Sequence, residues 1–396
     1  MQKNYLLRGG KLICLCVIAL ISDLGFPQLA AQDSIAQKPT TGLMRLAEQL
    51  FGETAEPGKP KFLIYPTIAY APETSLEIGF SGLYLFHARN NYEINRLSEI
   101  QAFAFFTLRR QMGIWLDHAI YGHEDAWISL GRNRLQRFPL LYYGIGPETP
   151  PDGPAVVNAD YLLIREDLLK QILPNLFLGF SVDYQRLFNA EIELDPDNPL
   201  PLPLGAGGNR NLGLGGSLVF DSRTNVLNER DAWFSELSLL SYQPAWGSDF
   251  RLQRMVVDSR VYLPVSTNRS QVLAAQVYGN FIAGDSIPFN MLALLGNESL
   301  LRGYYTGRFR DRNYLATQVE YRFLPFPFSK RLGGAAFVGV GAVAPRLADL
   351  RLDQLKPSGG VGLRFLLFPE KDIFVRFDVA FTPEGPNFYF YTGEAF

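Results

Sequence analysis

Leu295-Gly-Asn-Glu-Ser-Leu-Leu-Arg302-Gly303-Tyr304-Tyr305, followed by Asn313-Tyr-Leu-Ala-Thr-Gln-Val-Glu320-Tyr-Arg322-Phe323, decides how the rest of the chain is read. The first part is a loop with an arginine beside a glycine. The second alternates with a period of two. Leu315, Thr317, Val319, Tyr321 and Phe323 share one face, and Ala316, Gln318, Glu320 and Arg322 share the other. Such alternation marks a strand between two different environments. The charged face cannot meet lipid, whereas the apolar face can.

The same pattern recurs on either side. In Ile373 to Phe381, Ile373, Val375, Phe377, Val379 and Phe381 oppose Phe374, Arg376, Asp378 and Ala380. In the strand after Leu176, Leu178, Phe180, Val182 and Tyr184 oppose Gly179, Ser181, Asp183 and Gln185. From residue 61 onward the chain reads as about 16 strands, an even number as single-chain bacterial barrels require. Alternate connections are long: 139–154, 196–208 and 284–312. Those between them are short, such as Leu173-Pro174, 265–269 and 369–371. Short turns at one end and long loops at the other are expected of an outer-membrane barrel with a periplasmic amino terminus. A water-soluble β-sandwich would show the same alternation but has no reason for the loop asymmetry. The expected fold is therefore an all-β, 16-stranded antiparallel transmembrane β-barrel, an up-and-down meander. Lipid forbids open sheet edges, which makes closure obligatory.

Composition agrees. Aromatic residues make up 13% of the 396, with 30 Phe and 19 Tyr, yet no long apolar run follows the start of the chain. Membrane barrels carry aromatic girdles and no long apolar helix. A formal net charge of −2 argues against a nucleic-acid partner. Lys3, Arg8 and Lys11 precede an apolar run at 12–21 and small residues Ala30 and Ala31. Residues 1–31 thus read as a signal peptide, since the run falls short of the ~20 residues of a spanning helix. Both cysteines, Cys14 and Cys16, lie in this segment, which leaves the mature chain without disulfide or thiolate chemistry. Residues 32–60 read as a linker with one short amphipathic helix at 42–51. That is less than the ~50 residues a domain needs.

With these features in place, the chain resembles the outer-membrane assembly and translocation proteins typified by BamA, TamA and FhaC, also called bacterial surface antigens. Leu301-Arg302-Gly303-Tyr304 matches the family's Arg-Gly-Tyr motif in a long outer loop. The resemblance implies that this loop folds back into the lumen, where Arg302 meets Glu320, with Arg322 beside it. Asp221-Ser-Arg223 resembles the family's mid-barrel turn on the periplasmic side. Gly393 and Phe396 resemble its carboxy-terminal assembly signal. The resemblance covers 61–396 and implies an outer-membrane location in a Gram-negative bacterium. Implied partners are outer-membrane lipids, the machinery that inserts the barrel, and client proteins or a subunit bearing POTRA domains. The implied role is outer-membrane protein assembly or translocation; the other readings are an accessory or pore-type barrel and a lipid-active enzyme. The chain departs from the family twice. Residues 32–60 leave no room for POTRA domains. Phe337-Val-Gly339-Val-Gly341 also places glycine where the family has aspartate, so the loop lock should rest on Glu320 alone.

Enzymatic signals are thin, and no catalytic, metal or cofactor site is expected. His87, His118 and His123 show no metal-ligand spacing. Gly284-Asp285-Ser286 lacks the Gly-x-Ser-x-Gly elbow of esterases. Glu191, Glu193, Asp195 and Asp197 form an acidic loop, read as solvated rather than as a cation site. Arg308 reads as an ordinary loop arginine whose loss should not matter.

Overall fold

The computed structural model describes residues 59–71, 75–108, 110–194, 196, 200–225, 228–369 and 372–396. The expected signal peptide, the amphipathic helix at 42–51, both cysteines and Asp195 and Asp197 lie outside these residues.

The strands are β1 (Lys61–Ala71), β2 (Ser75–His87), β3 (Leu97–Thr107), β4 (Met112–Tyr121), β5 (Trp127–Arg137), β6 (Leu140–Tyr142), β7 (Ala155–Leu173), β8 (Leu176–Glu193), β9 (Asn209–Asp221) and β10 (Ala232–Tyr242). They continue with β11 (Leu252–Pro264), β12 (Gln271–Ala283), β13 (Ala293–Leu295), β14 (Phe309–Asp311), β15 (Asn313–Phe323), β16 (Leu332–Ala344), β17 (Lys356–Phe368), β18 (Ile373–Thr382) and β19 (Gly385–Thr392). All but β13 and β14 join one 17-stranded antiparallel sheet. The expected count of 16 omitted β6, a three-residue strand that pairs with the start of β7. β13 and β14 form a separate hairpin inside the long loop, so β12 pairs directly with β15. The last strand meets the first at one register pair, Tyr70 opposite Phe390.

The sheet inverts the burial of a water-soluble protein. On β15 the apolar residues Leu315 and Val319 are exposed, while Gln318, Glu320 and Arg322 are buried. Phe80, Ile114 and Val338 are exposed at 63%, 60% and 65%, and Arg302, Glu320, Arg364 and Asp378 at 0%. Large apolar side chains facing out and paired charges facing in are what hydrocarbon outside and a polar lumen inside require.

At the end bearing the long connections, the loops pack on one another. Gly146 N donates to Arg310 O at 2.8 Å, and Phe289 N to Leu204 O at 2.9 Å. Arg308 Nη1 donates to Thr149 Oγ1 at 2.7 Å. Tyr142, Val157, Leu187, Ala206 and Phe289 form an apolar cluster beneath this cover. The other end carries the short connections 174–175 and 265–270.

Candidate functional site in the lumen

The loop between β12 and β15 enters the barrel as a folded knot. Asn297 Oδ1 accepts from the backbone N–H groups of Ser299 and Leu300, both at 2.7 Å, which makes the tight turn. Leu301 (φ 53°) and Gly303 (φ 110°) then lie in the left-handed region, where a glycine carries no steric penalty. Leu300, Leu301 and Tyr304 join Tyr242, Leu252 and Tyr314 of the inner wall in one apolar cluster. The loop backbone is also bonded directly: Gly303 N donates to Tyr389 Oη at 2.9 Å, Ser358 Oγ to Arg302 O, and Asn387 Nδ2 to Gly303 O. Tyr304 Oη donates to Pro357 O at 3.0 Å. Burial pushes the Tyr304 phenol up to about 12, so it remains a donor at neutral pH.

Arg302 is held from two sides. Its Nη2 donates to Glu320 Oε2 on β15, and its Nη1 to Asp378 Oδ2 on β18 at 2.7 Å. The guanidinium also lies over the Phe337 ring, 3.5 Å from its centroid. The expectation that Glu320 is the sole partner is therefore corrected. The second carboxylate comes from β18 rather than β16. The glycines of β16 have a different use: a Cβ on Gly339 would stand 3.1 Å from Leu301 Cδ2, and one on Gly341 would collide with Leu301 Cδ1. Their bare backbone makes room for the loop tip.

Around this pair lies a charge network. Glu320 Oε1 accepts from Arg322 Nε at 2.7 Å. Asp378 accepts from Arg364 Nη1 at 2.6 Å and Arg376 Nη1 at 2.8 Å. Glu394 accepts from Arg364 Nε at 2.9 Å. Arg376 Nη2 reaches back to the loop at Glu298 O, at 2.9 Å. Charge-assisted bonds of this kind fix geometry as well as charge. Sequence reasoning missed Asp378, Arg364, Arg376 and Glu394 as members of the site. The alternation of β18 had placed Arg376 and Asp378 on the polar face, but nothing local pointed from either to Arg302.

The remaining expected positions fall as follows. Asp221 and Arg223 pair through Arg223 Nε and Asp221 Oδ1 at 2.9 Å. Arg96 Nη1 donates to both of their carbonyls at 3.2 Å. Gly393 and Phe396 lie beyond the last strand. β19 stops at Thr392, Gly393 takes φ 87°, and Arg322 Nη2 donates to Phe396 O at 2.9 Å. The positive φ at Gly393 turns the chain off the sheet and towards the charge network. Arg308 is buried rather than idle, bonded to Glu384 Oε2 at 2.9 Å and to Thr149. His118 meets Ser129 at 3.1 Å and Glu166 at 3.3 Å. His123 meets Asn95 at 3.2 Å. Gly284 O accepts from Arg312 Nη1 at 3.0 Å. Among the described residues no metal-ligating cluster forms.

An antiparallel meander with lipid-type outer faces, and an arginine loop bonded to the inner wall, defines an outer-membrane-type β-barrel. The profile of the Omp85 superfamily domain matches residues 171–396, and the chain belongs to that superfamily. Two solved structures are similar to it in fold. BamA from Haemophilus ducreyi lacking POTRA domains 1–3 has a TM-score of 0.53 at 12% identity, covering 85% of this chain and 70% of that one. CdiB from Acinetobacter baumannii has a TM-score of 0.54 at 10% identity, covering 84% of this chain and 59% of that one. No curated protein matches the sequence.

Proposed function

We propose that the chain acts in assembling or translocating proteins at the outer membrane of a Gram-negative bacterium, with the arginine loop as its internal lock. The observation that carries this reading is Arg302, bonded to carboxylates on both β15 and β18. A simple diffusion pore needs no buried arginine at the tip of an inserted loop. A guanidinium joining two distant strands ties the loop's position to the arrangement of the wall. Arg302, Gly303, Tyr304, Glu320 and Arg322 form the lock in this reading. Asp221 and Arg223 shape the turn facing the periplasm, and Gly393 and Phe396 serve the barrel's own assembly. Outer-membrane lipids surround the wall, and a client or a POTRA-bearing subunit is the protein partner.

A second reading is a plugged accessory barrel without insertase activity. It draws support from the loop cover, in which Gly146, Thr149, Arg308 and Arg310 join two long loops. Depleting the protein and quantifying outer-membrane protein levels separates the two. A fall in those levels, restored by the native chain and not by Arg302→Ala, supports assembly. Unchanged levels would leave the accessory reading standing and sink the first.

A further inference from the structure

The inner wall of β2 to β7, away from the arginine loop, carries an apolar group that the lock does not use. Phe103 and Phe105 on β3 and Trp115 on β4 lie with ring centroids 5.1–5.5 Å apart. A Cβ on Gly79 would stand 2.8 Å from Phe103, and one on Gly113 2.8 Å from Phe105. Bare glycine backbone thus lets both rings lie close along the wall. Elsewhere on the inner face, residues of the connections lie over aromatic rings, as Arg96 does over Tyr121 at 4.3 Å and Arg223 over Phe234 at 4.0 Å.

Beside the rings stands a group of arginines. Arg134 lies over Trp115 at 4.6 Å and donates to Asp117, with Nη2 to Oδ2 at 2.6 Å. Arg165 Nε donates to Asp183 Oδ2 at 2.7 Å. Arg132 sits between them, opposite Asp117 on β4 and opposite Arg165 on β7. Asp117, however, turns both carboxylate oxygens to Arg134. Arg132 is exposed to the lumen, and among the described residues it has neither a hydrogen-bond nor an ion-pair partner. Like charges directly opposite each other across a sheet destabilise it; Asp183 balances Arg165 and Asp117 lies opposite Arg132, so a bound anion would relieve what remains of the repulsion between Arg132 and its arginine neighbours. A planar guanidinium suits carboxylate or phosphate oxygens, and stacked rings suit a flat apolar body.

We infer that Phe103 and Trp115, backed by the buried Phe105 ring, form with Arg132 a lumenal binding site for a small aromatic anion, such as an aryl carboxylate or aryl phosphate. The site is separate from the Arg302 lock.

Phenyl phosphate is the probe. A chain carrying Trp127→Phe, Trp233→Phe and Trp246→Phe keeps Trp115 as its one tryptophan. Folded, membrane-reconstituted protein is titrated while Trp115 fluorescence is followed. Saturable quenching is expected. Arg132→Ala should weaken it by about tenfold or more, the factor that one lost charge-assisted contact represents, while Arg132→Lys should retain most of it. Inorganic phosphate should compete only at about tenfold higher concentration, since it lacks the ring. Folding of each variant is checked by its unheated gel mobility, and Arg132→Gln replaces the alanine variant should that one not fold. Quenching that rises without saturating, that is unchanged in folded Arg132→Ala or Arg132→Gln, or that inorganic phosphate matches at equal concentration would overturn the site.

Discussion

Arg302 has no exposed surface, and neither have the two carboxylates it joins. Taking such charges out of water is costly, and removing one member of a buried set leaves the others uncompensated. Arg302→Ala should therefore destabilise the barrel by about 3 kcal/mol, the low end for breaking a buried pair, because Arg322, Arg364 and Arg376 still attend the carboxylates. Arg302→Lys should fall in between, since one ammonium cannot reach two carboxylates as a planar fork does. Arg351→Ala, which breaks an exposed pair with Asp353, should cost less than about 1 kcal/mol. Urea midpoints of the reconstituted barrels check the order; equal midpoints for Arg302→Ala and Arg351→Ala would count against the lock. Arg308, buried against Glu384 and Thr149, is no neutral comparison. Glu320 was named as a partner through the resemblance to the surface-antigen family, and the alternation of β15 only placed it on the inward face. Asp378 was not, since it lies 76 residues further on, and only the curvature of the sheet brings β18 across to the loop.

At the scale of elements, β16 shows what a missing side chain can do. Gly339, two residues before Gly341, was read as a loss, a position where a carboxylate had gone. The backbone of both in fact faces Leu301, whose methyl groups fill the space a Cβ would need. Gly341→Ala should overpack the contact and cost about 1–3 kcal/mol. Pairing it with Leu301→Ala should recover part of that loss, because the two positions are in contact and their effects do not add. A double mutant no better than the sum of the singles would show that Leu301 is not what the glycine accommodates. Strand existence and facing were readable because alternation is local. The extra strand β6 and the turn away from the sheet at Gly393 were not, since both depend on distant partners: β7 for the first, Arg322 for the second.

For the whole molecule, the seam is the sparse point of the sheet. β1 and β19 share the single pair Tyr70 and Phe390, whereas β1 and β2 pair from Lys61 to Ala71. Directly opposed antiparallel residues have Cα atoms about 4.5–5.5 Å apart, within the range a disulfide spans. Tyr70→Cys with Phe390→Cys should therefore form a disulfide under mild oxidation and raise the unfolding midpoint. Cysteines placed one residue off, Tyr70→Cys with Tyr389→Cys, should not cross-link, because neighbouring side chains point to opposite faces. Cross-linking of the offset pair instead would place the seam in another register. The meander itself was legible from alternation and loop lengths alone. Its meeting of first and last strands was expected only because lipid tolerates no open edge.

The outward-facing Phe80, Ile114 and Val338 carry a consequence for how changes in this chain should be weighed. In water, trimming such a side chain in a core forfeits its transfer free energy and opens a void. Against hydrocarbon the neighbouring molecules are themselves fluid and apolar, so a shorter aliphatic residue is simply backed by another methylene of the surroundings. The outer surface is therefore tolerant of size and intolerant of charge, and the inner surface is the reverse. Leu315 replaced on the outside of β15 is a change of upholstery, whereas Glu320, five residues along and facing inward, holds the frame.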